Sequence, residues 1–229
     1  MWLLNSSVGR KVVMSLSGVF LILFLLFHLA MNITAVFSAE AYNMICELLG
    51  SNWYALLGTA VLAGGFGVHM VMALWLTWQN LQARGSSRYA VSDRPKNVSW
   101  SSQNMFVIGL VVCGFLLLHF AQFWYHMMFA ELIGYHEVEV GGKMIGTTDG
   151  ASFINYYFSH LWVVIAYLIW YVALWLHLTH GLWSALQTVG LSNRIWINRW
   201  KVITYVVATL ICGGFGFVTL FFYIKSLLS

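Results

Sequence analysis

Long apolar runs separated by short polar stretches make up most of the chain. Five such runs cover residues 13–37, 53–82, 104–130, 153–188 and 202–228. Each exceeds the roughly 20 residues that a helix needs to cross a bilayer. The pattern predicts an all-α membrane protein with five transmembrane helices in a single integral domain over 1–229. The fourth run is longer than one crossing requires, so it is expected to tilt or project. The run after Lys11 is too long for a signal-peptide core, and no small-residue cleavage site ends it, so the first helix is expected to be retained. Between the first two runs, SAEAYNMICELLG places Tyr42, Ile45 and Leu49 at helical spacing behind a capping Ser38 and before Gly50. This predicts a short surface helix over 39–49. In the longest connection, Glu131 to Ser152, HEVEVGGKMIG alternates polar and apolar residues around Gly141-Gly142, which predicts a hairpin.

Composition supports the membrane assignment. Only 8% of residues are charged, against roughly 25% in soluble domains. The net charge of +4 is no nucleic-acid signal, because its distribution follows topology. Arg10, Lys11, Arg84, Arg88, Arg94, Lys96, Arg194, Arg199 and Lys201 all fall in the N-terminal start and the second–third and fourth–fifth links, with Asp93 as the one acid there. The other segments hold Lys143 and Lys225 against Glu40, Glu47, Glu131, Glu137, Glu139 and Asp149. Basic loops stay in the cytoplasm, so the N-terminus is expected inside and the C-terminus outside. Cys46, Cys113 and Cys212 lack metal-ligand spacing and are expected to be structural, without a disulfide.

The candidate chemistry lies in histidine. No Asp, Glu, Lys or Arg sits deep in any run, which argues against an ion pump or proton-coupled transporter. Four runs carry a deep histidine: His28, His69, His119, and His177 with His180 beside it. At about 1.5 Å of rise per residue, His28 and His119 lie nearer the outside, and His69 and His177 nearer the cytoplasm. A bis-histidine haem needs two imidazoles at one depth on facing helices. The ranking gives two such pairs, from spans one and three and from spans two and four, with four helices bundled around two stacked b-type haems. Gly18, Gly64, Gly65, Gly67 and Gly114 would let a flat porphyrin approach. Taken singly, each histidine is as readily a helix–helix hydrogen bond as a ligand; four in two level pairs are harder to explain that way. Periodicity does not choose between His177 and His180. His126, His136 and His160 read as interfacial or solvated.

The segments FHLAMN at His28, GVHMVMALW at His69, LLHFAQFW at His119 and HLTHGLWSALQTVG from His177 together resemble the di-haem cytochrome b membrane anchor of succinate dehydrogenase and fumarate reductase, in its five-helix, single-polypeptide form. The resemblance spans nearly the whole chain. It implies that His28 and His119 bind the outer haem and that His69 and His177 bind the inner one. His177 is preferred to His180 because Gly181, Leu182 and Trp183 follow it in the family's pattern. It also implies an iron–sulfur subunit and an FAD flavoprotein docked on the cytoplasmic side of a bacterial inner membrane, and electron exchange with menaquinone. Dicarboxylate chemistry would belong to the flavoprotein. Ser15 and His180 are candidate haem neighbours. Glu47 and His126 are candidates for proton exchange at the quinone. Other readings are the cytochrome b anchor of a formate dehydrogenase or hydrogenase, and a haem-free helical channel or scaffold.

Overall fold

The computed structural model describes residues 6–50, 52–84 and 100–228. It has five helices long and apolar enough to cross a membrane. They are α1 (Ser7–Phe37), α3 (Trp53–Arg84), the helical rod Met105–Leu132, α8 (Leu161–Thr188) and α9 (Trp196–Leu228). Shorter elements are α2 (Ala39–Leu48), α4 (Trp100–Gln103) and α7 (Gly150–Phe158). Strands β1 (Glu137–Val140) and β2 (Lys143–Gly146) complete the set. The chain is a multi-pass membrane protein whose exposed side chains along the helices, such as Leu23, Phe27, Val61, Leu117, Ile169 and Phe217, are apolar as a lipid-facing surface must be. Arg88, Asp93, Arg94, Pro95 and Lys96 of the second–third link lie outside the described residues.

Several boundaries follow from capping. Helix α1 starts at Ser7, earlier than the apolar run, because the Ser6 hydroxyl accepts from the Gly9 N–H at 2.9 Å. Ser38 caps α2 by accepting from the Ala41 N–H at 3.1 Å. Helix α9 begins at Trp196, inside the basic link, where the Asn193 side chain accepts from the backbone of Ile195 and Trp196. The hairpin forms as expected, with Val138 opposite Ile145 and the turn made by Gly141 and Gly142 at φ 60° and 78°.

Two features depart from the sequence reading. The fourth run is not one continuous helix. It breaks at Ser159–His160 into α7 and α8, because the Ser159 hydroxyl and the His160 ring both bond the Tyr156 carbonyl, and His160 is extended at ψ 114°. The third span is not uniform either. It runs as α5 (Met105–His119), a π-helix (Phe120–Phe129) and the single turn α6 (Ala130–Leu132). A π-helix is rare and tends to mark functional sites.

In the bundle, α1 packs against α3, α8 and α9, while α5 packs against α8, and α8 against α9. Spans one and three, and two and four, do not pack along one another among the described residues. They form the two diagonals. Apolar burial gains little inside lipid, so close packing and interhelical hydrogen bonds hold these helices. Ile211 and Val163 are 0% exposed, Tyr171 bonds Thr219 at 2.9 Å, and Trp175 donates to Thr209 at 3.0 Å. Leu29 fills the notch at Gly214, where a Cβ would lie 2.8 Å from its methyls. One end of the bundle carries α2, α7 and the hairpin. Asn43 locks this end by donating to Asp149 at 2.7 Å and accepting from the Ala151 N–H at 2.9 Å. The other end carries Arg10, Lys11, Arg194, Arg199 and Lys201.

Candidate functional site

The histidine rings meet across the two diagonals. His28 of α1 and His119 at the end of α5 have ring centres 5.9 Å apart, nearly perpendicular at 83°. His69 of α3 and His177 of α8 have ring centres 6.2 Å apart at 69°. The first pair lies toward the hairpin end and the second toward the basic end. These are the pairs that depth ranking gives, and the second contains His177 rather than His180. A metal–imidazole bond of about 2.0–2.1 Å on each side of one ion would put two ring centres about 6 Å apart. Aromatic contacts of about 4.5–7 Å cover the same range, so spacing alone does not separate the two cases.

The hydrogen bonds around the rings add the polar partners of each imidazole. The Ser17 hydroxyl lies 3.3 Å from His69 Nδ1 and donates its own proton to the Met14 carbonyl at 3.0 Å. The Tyr167 hydroxyl lies 3.4 Å from His119 Nδ1 and donates to Gln122 Oε1 at 2.9 Å. A hydroxyl whose proton goes to a carbonyl oxygen can accept from an imidazole Nδ1–H, the tautomer that leaves Nε2 bare. Metal-bound imidazoles usually donate their second N–H in this way. Asn32 lies beside His28, 3.4 Å from Nδ1, and accepts from the Tyr42 hydroxyl at 3.3 Å. His177 Nδ1 and Trp170 Nε1, both on α8, are buried with no hydrogen-bond partner. Buried polar atoms without partners are uncommon and call for an explanation such as a ligand.

Small residues frame the inner pair. A Cβ at Gly18 would sit 3.3 Å from His69 Cε1, and one at Gly109 would sit 3.6 Å from His177 Cε1. Gly18 and Gly109 thus lie against the two rings of this pair. Gly65 faces Phe20, while Gly64, Gly67 and Gly114 have open space beside them, so these four do not frame a histidine. No group of three or more His, Cys, Asp or Glu able to hold a metal ion occurs among the described residues. The donor set is therefore two pairs of imidazoles. That set suits a haem, whose macrocycle supplies the other ligands, and does not suit a structural zinc site of four protein ligands.

The remaining candidates separate. Ser15 is buried on α1, but Ser17, two residues on, is the serine that meets His69. His180 is partly buried one turn beyond His177, toward the basic end. His126 is partly buried in the π-helix, with Nδ1 3.3 Å from the Gln122 carbonyl and 3.4 Å from the Tyr157 hydroxyl. Glu47 is exposed on α2. Sequence reading missed Ser17, Asn32, Gln122, Tyr167 and Phe215, whose ring on α9 lies 5.6 Å from His28. A polar Gln122 three residues after His119 in an apolar run was a legible signal. Phe215 carries none.

Comparison of the chain with protein families, with curated proteins and with solved structures finds no match.

Proposed function

We propose that the chain is the membrane anchor and electron-transfer subunit of a succinate:quinone oxidoreductase, and that it binds two haems b. The observation that carries this reading is the meeting of four histidines, from four helices, as two pairs on the two diagonals. His28 and His119 would hold one haem iron, and His69 and His177 the other. Haem bound at these positions supplies a one-electron carrier with no need for a buried charged side chain. The apolar helices keep water and ions from the path. Electrons arriving from an iron–sulfur partner enter at the basic end, where Lys11, Arg194, Arg199 and Lys201 are available for docking, and positive-inside charge puts that end in the cytoplasm. The exchangeable substrate is a quinone, by resemblance menaquinone, whose reduction takes up two protons with two electrons. His126 and Tyr157 at the hairpin end are placed to hold such a proton. Glu47 is exposed to water near the same end. The flavoprotein that converts the dicarboxylate would sit beyond the iron–sulfur subunit.

A reduced-minus-oxidised absorption spectrum of the purified chain tests the reading. A b-type signal at two haems per chain, together with co-purification of a flavin-containing iron–sulfur partner, is the expected result. Two haems with a molybdenum or nickel partner would replace the succinate assignment by the formate dehydrogenase or hydrogenase type. A spectrum without haem would leave a helical scaffold or channel.

A further inference from the structure

We infer that Tyr167 and Ser17 are positioning residues, each fixing one histidine of one pair as the Nδ1–H tautomer and so aiming its Nε2 at the iron. The inference rests on the haem reading above. A hydroxyl has one proton and two lone pairs. Tyr167 commits its proton to Gln122 Oε1 at 2.9 Å, and Ser17 commits its own to the Met14 carbonyl at 3.0 Å. Each oxygen then faces an imidazole Nδ1, at 3.4 Å for His119 and 3.3 Å for His69. An oxygen that has already donated can only accept, which leaves Nδ1–H as the donor toward each hydroxyl; at His69 the Met14 carbonyl is a further acceptor. Tyr167 is 2% exposed and Gln122 6%, which leaves little room for water to offer an alternative. The two arrangements are built from different residue types on different helices, yet they reach the same result. In the second pair, His177 Nδ1 has no partner at all. That pair therefore has one ring with a hydrogen-bonded Nδ1 and one without.

The consequence is electronic as well as geometric. An acceptor on Nδ1–H makes imidazole a stronger donor to the metal. A stronger donor favours ferric over ferrous iron and lowers the reduction potential. Tyr167→Phe should therefore raise the midpoint potential of one haem, the one lost in His119→Ala. Ser17→Ala should raise that of the other, the one lost in His69→Ala, and Ser17→Thr should restore it.

Redox titration of the purified full chain, followed by the b-type absorption bands, reads this cross-pattern. A purely structural role would not sort the two potentials by residue. Potentials that stay unmoved with both haems retained, or that move at the wrong haem, overturn the inference and leave the haem reading standing. Where a variant does not assemble, nitrogen-15 spectra of the histidine-labelled wild-type chain without haem decide. Protons on Nδ1 of His119 and His69 are expected, and protons on Nε2 overturn the inference. A wild-type chain that never takes up haem sinks the functional reading instead, and that outcome is distinct from a wrong tautomer.

Discussion

His69 and His177 bring their ring centres to 6.2 Å although the helices that carry them do not pack along one another. Two helices that do not pack along one another bring these side chains together. His28 and His119 repeat the relationship on the other diagonal at 5.9 Å. An arrangement of this kind leaves the bundle centre to whatever lies between the rings. It gives the pairs separate identities, so removing one ring should affect one site.

If the proposed haems are bound, His69→Ala or His177→Ala reduces the haem content from two per chain to one, with the other pair's absorption band intact. His28→Ala and His119→Ala should remove the complementary band. His180→Ala should retain both. Quantitation of extracted haem against protein checks this. Retention of two haems in His177→Ala with loss of one in His180→Ala would move the axial ligand three residues along α8.

The glycines offer a steric test with an internal control. A Cβ at Gly18 would already lie 3.3 Å from His69 Cε1, and the two further methyls of valine would press on the ring. Gly18→Val should displace His69 and weaken or abolish binding at that pair. Gly114 has nothing within 4 Å of an added Cβ, so Gly114→Ala should leave both absorption bands as they are. Equal loss in both variants would show that helix packing, and not the ring, is what responds to bulk.

How much of this was legible in the chain can be judged from particular residues. Five spans, the surface helix and the hairpin were readable, because lipid demands long apolar helices and a Gly-Gly turn has few alternatives. The pairing of His28 with His119 was also readable, because helical rise converts position into depth. The break at His160 was not, because it depends on side chains competing for the Tyr156 carbonyl rather than on hydropathy. The π-helix after His119 was hidden for a similar reason, since FAQFWYHMMF has the composition of any span. Choosing Ser17 over Ser15 needs the rotation of α1 about its axis, which two serines two residues apart do not specify.

The hairpin end should be sensitive to one glycine. A Cβ at Gly150 would lie 2.4 Å from Cys46 Sγ and 2.8 Å from the Tyr42 ring. Gly150 starts α7, whose cap Asp149 is also bonded by Asn43 of α2. Backbone and ring cannot both stay in place. Gly150→Ala is expected to destabilise the α2–α7 contact by about 1–3 kcal/mol, the usual cost of overpacking. Faster hydrogen exchange in residues 39–48, with the exchange of α8 unchanged, would be the signature. Unaltered exchange in α2 would mean that the two short helices are not coupled through this contact.

Cys46 itself gives a pH-dependent readout at the same contact. Burial pushes its thiol up to about 11 and Asp149 adds to the shift, while hydrogen bonds from Tyr42 and from the Gly150 backbone pull the other way. An ordinary thiol titrates near 8.5. The native state therefore holds the proton over a range where the unfolded chain has released it. Stability from this group is complete below about pH 8.5 and falls as pH rises from there through about 11, because the native state binds more protons. Only the thiolate reacts readily with an alkylating reagent. With Cys113 and Cys212 replaced by serine, Cys46 should react at pH 8 about tenfold or more slower than a free thiol, even after allowing for the greater nucleophilicity of a high-pKa thiolate. The rate should climb with pH up to about 11. Exchange of residues 39–48 should accelerate over the same interval, and Cys46→Ala should remove that pH dependence. Labelling at the rate of a free thiol at pH 8 would mean that α2 does not stay docked on α7, and the packing of Gly150 against Cys46 would lose its support.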